Sequence, residues 1–326
     1  MKKILIIQTA FIGDVVLATS LIEKWHQFYP ESAIDFLVRK GNETILDAHP
    51  YLNSVLIWDK KNSKLKGLFE LKKQIKSNKY DVVVSAHRFA SSGFLVAFSG
   101  AKYKIGFKSN PFSFKFTHKP KHEIGNGTHE IERNQLLIED LTDKKAAKPK
   151  LHLNNSHFQA IESYTNKKYV CMSPASVWFT KQLPKQKWLE LIKKYKKPDI
   201  HIYILGGPND KLYNDFIMES AFQDNITNLS GELSILESTA LMKGAEMNYV
   251  NDSGPLHFAS SVNAPVTAFF CSTVPNYGFG PLSDQSILIE PSTKLSCHSC
   301  GLHGFKTCPK KHFKCGHDIE IGDIIL

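Results

Sequence analysis

Lys3-Ile-Leu-Ile-Ile-Gln-Thr-Ala-Phe-Ile-Gly-Asp14 decides the fold class. It reads as an apolar strand running to Gln8, then a short turn with one glycine. From Asp14 to Phe28 the apolar residues Val15, Leu17, Ala18, Leu21, Ile22 and Trp25 recur at helical spacing. The same strand-then-helix unit repeats downstream. Strands are expected at Ala33–Val38, Ser54–Ile57 and Tyr80–Ser85, with helices near Glu43–Ala48, Lys64–Lys76 and Ser91–Phe98. Alternation of this kind predicts βαβ units and a parallel sheet.

Residues 142–168 break the pattern, being polar, rich in Lys and Asn, and interrupted by Pro149. The alternation then restarts. Strands are expected at Tyr169–Met172, His201–Leu205, Glu246–Val250 and Val266–Phe270, with helices at Pro184–Tyr195, Asp210–Phe222, Ile235–Lys243 and Pro255–Val262. The expectation is therefore an α/β chain of two Rossmann-like lobes with parallel sheets facing a central cleft. The first lobe covers 1–150, a linker 151–168, and the second lobe 169–326 with a Cys-rich C-terminal segment. Because open α/β sheets bind ligands beyond the carboxyl ends of their strands, the chemistry belongs in the segments that follow strands.

Charge divides along the same line. The 326 residues carry 41 Lys and Arg against 31 Asp and Glu, a net +10. Residues 1–168 hold 27 of the cations and 16 of the carboxylates, a balance of +11, which leaves the remainder at −1. A basic half suits a polyanionic partner (nucleic acid, anionic lipid or an anionic glycan) or is simply a lysine-rich solvated face. No apolar run approaches the ~20 residues of a membrane span. Gln8 and Asp14 interrupt any secretory signal at the start. The expected location is cytoplasmic, with peripheral attachment to a membrane surface allowed.

Three post-strand segments carry candidate chemistry. In Gln8-Thr-Ala-Phe-Ile-Gly-Asp14 the lone Gly13 excludes a GxGxxG dinucleotide fingerprint, and with it an NAD-linked oxidoreductase. Asp14 is either a helix N-cap or a general base able to take a hydroxyl proton. In Val250-Asn-Asp-Ser-Gly-Pro-Leu-His257, Gly254 lets the backbone approach a ligand and Pro255 opens a helix whose free N–H groups suit a diphosphate. Asp252 could bind sugar hydroxyls or cap that helix. His257 could donate to a phosphate or be an interior histidine. In Ser173-Pro-Ala-Ser-Val-Trp-Phe-Thr-Lys-Gln-Leu-Pro184, Thr180 and Lys181 precede a helix, and a lysine there supplies a point charge for phosphate.

Of six cysteines, Cys171 and Cys271 lie in apolar runs and read as buried. Cys297, Cys300, Cys308 and Cys315 have the spacing C-x2-C-x7-C-x6-C. They could hold structural zinc, although a zinc ribbon has two C-x2-C knuckles, or stand as free or pairing thiols.

In this order the Gly-Asp opening, Thr180-Lys-Gln-Leu-Pro184, Leu205-Gly-Gly-Pro208, Ser230-Gly-Glu-Leu-Ser234 and Asn251-Asp-Ser-Gly-Pro-Leu-His257 resemble the ADP-heptose:lipopolysaccharide heptosyltransferases of glycosyltransferase family 9. Val84-Ser-Ala-His-Arg88 and Gly127-Thr-His-Glu-Ile-Glu-Arg133 extend the likeness. The resemblance implies a GT-B fold with an N-terminal acceptor-binding lobe and a C-terminal nucleotide-sugar lobe. It places Asp14 as the catalytic base, with Gly13 beside it. Lys181 and Thr180 fall at the donor diphosphate, Asp252, Ser253, Gly254 and His257 at heptose and phosphate, and Leu233 against adenine. Ser173-Pro-Ala-Ser176 departs from the family's tandem hydroxyls, and Asp210 aligns only loosely with an acidic residue near the ribose. The implied reaction is inverting transfer of heptose from ADP-heptose to the inner core of lipopolysaccharide, with no metal or cofactor required. The partners are the nucleotide sugar and a lipid-anchored anionic oligosaccharide, not nucleic acid. His87, Arg88 and Arg133 are the candidates for the acceptor's anions. The alternatives are transfer of another nucleotide sugar to a different anionic surface glycan, and a non-catalytic binder of anionic glycan or nucleic acid.

Overall fold

A computed structural model describes residues 3–195 and 200–322. The chain divides into two compact units, Met1–His152 and Leu153–Leu326. In the first, β1 (Lys3–Ile7) leads into helix α1 (Ile12–Phe28) and then β2 (Ala33–Arg39). After a 3-10 turn at Glu43–Leu46 come β3 (Leu52–Trp58), α2 (Lys64–Ser77), β4 (Val82–Ser85), α3 (Ala90–Ala97) and β5 (Tyr103–Gly106). Helix α4 (Glu130–Gln135) follows. The strands form a parallel sheet in the order β3-β2-β1-β4-β5. Ile4 to Ile7 and Val82 to Val84 are fully buried, as expected of central parallel strands covered on both faces.

Helix α1 is buried along most of its length, including Lys24, whose ammonium meets Asp143 at 2.9 Å. Below it, Glu23 gathers two imidazoles. His152 Nε2 lies 2.8 Å and His49 Nε2 3.4 Å from Glu23 Oε1. Burial alone would raise the Glu23 carboxyl; hydrogen bonds from His152 and His49 outweigh it and bring it down to about 2. Burial also lowers His49.

The second unit starts with α5 (Asn155–Ile161), inside the stretch expected to be a linker, capped by Asn154 through His157 N–H. Its sheet comprises β6 (Lys168–Ser173), β7 (Ile200–Ile204), β8 (Ile226–Asn228), β9 (Asn248–Asn251), β10 (Val266–Phe269) and β11 (Ser286–Ile289). Between them lie α6 (Lys185–Lys194), α7 (Lys211–Ala221), α8 (Ile235–Gly244) and α9 (Gly254–Ser261). The order β11-β10-β9-β6-β7-β8 is again parallel. Its core packs Met172, Trp188, Leu191, Ile204, Tyr249 and Phe269 together.

Each sheet therefore reverses its winding once, between β1 and β4 in the first unit and between β6 and β9 in the second. Those two points are where an open α/β sheet forms a crevice at its carboxyl edge.

Candidate active site

In the first unit the β1 turn delivers Asp14 into the first turn of α1. The N-cap residue is Phe11 and makes no side-chain cap, so Asp14 sits three residues further in and not at the capping position itself. It is half-buried, as is Gly13. It lies at the positive end of the helix dipole.

The segment after β4 faces the same switch point. His87 Nδ1 lies 3.3 Å from Thr9 Oγ1 and 3.2 Å from Ser92 Oγ. Burial, then the charges of Lys60 and Arg88, lower His87 to about 4. At neutral pH this imidazole offers hydrogen bonds and no charge. Arg88 is half-buried beside it, and its charge acts on the imidazole.

Arg133 departs from expectation. It is 1% exposed. Its Nε donates to Glu130 Oε2 at 2.7 Å and its Nη1 to the carbonyls of Glu123 and Thr128. Glu130 in turn meets His122 at 3.1 Å. The guanidinium braces the 123–133 segment from within and is withheld from any solvent-borne anion.

Lys60, unmarked in the sequence reading, also reaches this switch point. It follows β3, and its Nζ donates to both Thr9 O and Thr9 Oγ1 at 2.9 Å. Burial, then Arg39 and Lys64, lower it to about 8. Arg39, ending β2, lies 4.9 Å over the exposed Phe11 ring. The ends of β1, β3 and β4 thus meet at Thr9, and the charge of Arg39 reaches Lys60 from the end of β2. The available signal was positional: a lysine two residues beyond a strand's carboxyl end.

In the second unit the segments after β6 and β9 meet through side chains. Asn251 Oδ1 accepts from Leu183 N–H at 2.8 Å, and its Nδ2 donates to Pro174 O at 2.7 Å and Ser173 O at 3.3 Å. One buried amide thus pins both ends of the 173–183 loop. Lys181 Nζ pairs with Asp252 Oδ2 at 2.7 Å, and Thr273 Oγ1 donates to the same oxygen at 2.6 Å. Ser253 is the N-cap of α9 without a side-chain cap bond, so Gly254 and the following backbone open that helix at the crevice. His257 is buried within its first turn. Leu233 is half-buried just ahead of α8, whose N-cap Ser234 is boxed with Glu237. Asp210 spends Oδ2 on Gly207 N–H at 2.8 Å, closing the glycine turn.

Thr180 is held by the Cys-rich segment. Its N–H donates to Phe305 O at 3.1 Å, and Phe305 N–H donates to Thr180 Oγ1 at 2.8 Å. Ser272 Oγ donates to the same hydroxyl at 2.9 Å, and Cys300 N–H donates to Ser272 O at 3.0 Å. Gly304, at φ +73°, lies so close that a Cβ would come within 2.9 Å of Lys181 Cγ and 3.0 Å of Thr180 Oγ1.

The four cysteines of this segment are free thiols. Burial, then the neighbouring thiols, raises Cys300 and pushes Cys315 up to about 12. Among the described residues, the ligand atoms that fall within 4.8 Å of one another in a group of three or more belong to Glu23, His49 and His152, so the four sulfurs do not converge on one point as a tetrahedral zinc site requires.

A family model described as glycosyltransferase family 9 (heptosyltransferase) matches residues 68–301. Lipopolysaccharide heptosyltransferase 3 of Escherichia coli K12 is 27% identical over 279 residues, covering 80% of each chain. A solved family 9 glycosyltransferase from Veillonella parvula superposes with a TM-score of 0.79 at 20% identity, over 88% of this chain and 85% of that one. The solved E. coli ADP-heptose lps heptosyltransferase II gives 0.75 at 18% identity, over 96% and 97%. The α/β architecture of two Rossmann-like units is the GT-B fold of those proteins.

Proposed function

Because the chain belongs to glycosyltransferase family 9, the heptosyltransferases, we propose that it moves heptose from ADP-heptose to a hydroxyl of the lipopolysaccharide inner core, with inversion. What carries the reading is the chemistry at the two switch points. One gathers a carboxylate with cations, and the other joins a lysine–aspartate pair to an open helix N-terminus. The name of the solved E. coli relative supports ADP-heptose as donor.

Asp14 removes the acceptor proton as the anomeric carbon becomes oxocarbenium-like, and the hydroxyl attacks the face opposite the leaving ADP. Lys181 and the backbone at Ser253–Gly254 stabilise charge growing on the departing diphosphate. Asp252 aims the lysine until phosphate competes for it. Thr180, Leu233 and His257 complete the donor side. Lys60, Arg88 and Arg39 supply charge for the carboxylates and phosphates of a lipid-anchored acceptor, with neutral His87 as a hydrogen-bonding partner and Gly13 leaving room beside Asp14. The first unit is thus the acceptor lobe, and the enzyme works at the cytoplasmic face of the inner membrane.

The test is incubation with ADP-heptose and a panel of truncated cores, followed by mass spectrometry. Asp14→Asn is expected to cut kcat by about 10²–10⁴-fold with ADP-heptose affinity kept. Unchanged turnover in that variant, or no mass increment on any core, would refute the assignment.

A further inference from the structure

An aromatic ladder runs from the edge of the first unit's core, where Phe94 and Phe112 pack partly buried, out to its surface at Phe69 and Phe114. The Phe69 and Phe94 rings meet edge-on with centroids 5.7 Å apart, Phe94 meets Phe112 at 5.9 Å, and Phe112 stacks with Phe114 at 6.3 Å. Phe69 is 53% and Phe114 70% exposed, and Leu65, one turn before Phe69 on α2, is 69% exposed. Helix α2 already buries Gly67, Leu71 and Ile75 against the core, so this outer stripe is a second apolar face.

The ladder is framed by lysines. Lys72 Nζ stands 5.9 Å from the Phe94 centroid and 5.5 Å from that of Phe98, and Lys115 Nζ 4.5 Å from that of Phe98. Residues 60–80 contain eight lysines and one carboxylate, Glu70, and residues 99–121 contain six lysines and none. Exposed phenylalanines among lysines, with carboxylates excluded, describe a surface that lies in a lipid headgroup layer. The rings enter the acyl boundary while the lysine stems run along them and their ammonium groups meet anionic headgroups. Among the described residues no helix is long and apolar enough to cross a membrane.

We propose that the α2–α3 face, through Leu65, Phe69, Phe112, Phe114, Lys72 and Lys115, docks the enzyme on a bilayer leaflet carrying anionic lipid. The inference deepens the transferase reading and rests on it, since a lipid-anchored acceptor lies in that plane. Charge singles out the bilayer: a protein partner of matching apolar chemistry would not require segments so rich in lysine and so poor in carboxylates.

The full-length enzyme is floated with phosphatidylcholine vesicles and with vesicles containing phosphatidylglycerol, at low and at ~0.15 M salt, and assayed on an acylated and on a deacylated core. The expected result is capture by the anionic vesicles only, weakened by salt. Phe69→Ser with Phe114→Ser loses about tenfold in binding per ring, and Lys72→Gln about fivefold. Both variants keep wild-type melting and wild-type turnover on the deacylated core, while turnover on the acylated core in vesicles falls. Leu212→Ser, at a still more exposed apolar site in the second unit, is the control and binds as wild type. Equal capture by both vesicle types, no capture, or unchanged capture of the Phe69/Phe114 variant overturns the docking face. Capture by nucleic acid in place of vesicles does the same. Loss of turnover on the deacylated core as well would instead strike at the transferase reading.

Discussion

Lys60 shows how a single side chain can be costly to the fold and useful to the site. Its charge is disfavoured by burial and by Arg39 and Lys64, so the folded protein holds the proton less tightly than the unfolded chain, for which 10.5 is the ordinary value. The unfolded state then binds more protons between about 8 and 10.5, and this group's contribution to stability improves as pH rises through that window. Lys60→Met should therefore melt no lower than wild type at pH 7 while raising KM for an anionic acceptor about tenfold. Wild-type acceptor KM should climb as pH passes 8, and the variant's should stay flat. Steady-state kinetics across pH 6.5–9.5 beside thermal melts read both. Asp14, Lys181 and Asp252 were legible as residue types placed after strands. His87 and Arg133 were legible only as positions, because their roles depend on burial: the same guanidinium that reads as an anion receptor in a string of letters is, at 1% exposure, a brace for Glu130.

At the level of elements, the strands named from sequence are, except for the edge strand β3, the buried central ones. The three it missed, β5, β8 and β11, all lie at sheet edges. An edge strand has no second neighbour and need not be apolar on both faces, so Tyr103-Lys-Ile-Gly106 carries little of the signal that Ile4–Ile7 does. Helix α5 was lost for a related reason: it buries Ile161 and little else. The Cys-rich segment was legible as a cluster of thiols and not as what its backbone does, which is to grip Thr180. Gly304→Ala should push on Thr180 and Lys181 and raise donor KM several-fold, with acceptor KM unaffected. Isothermal titration with ADP checks the first half without turnover. The Glu23 cluster carries a second prediction. The folded Glu23 carboxyl is about 2 against an ordinary 4.5, so its stabilising effect is complete above 4.5 and disappears as pH falls toward 2. Lowered His49 starts the decline earlier, below 6.5, because the unfolded chain takes up that proton more readily. Glu23→Gln should lower urea midpoints at pH 7 and flatten their fall between pH 4.5 and 3, as chemical denaturation at the three pH values would show.

For the whole molecule the charge division is the feature that sequence gave most directly and structure put to use. The basic excess belongs to the first 168 residues, where Lys60, Arg88 and the lysines of α2 stand at the surface or just beneath it. Screening at ~0.1 M salt shortens the reach of exposed charges to about 10 Å and touches buried pairs less. Raising salt from 0.05 to 0.3 M should therefore lift the acceptor KM more steeply than the donor KM, whose main cation, Lys181, is already held against Asp252. Equal slopes in initial-rate titrations would contradict this. The boundary between the units has a practical side as well. The chain leaves the first unit at His152, the residue whose ring grips Glu23. Anyone severing the halves for separate expression must keep that histidine on the leading fragment. A cut two residues earlier, tidy by the letters, would remove the clasp that fastens the exit of the chain to its longest helix, leaving a fragment that frays in mild acid.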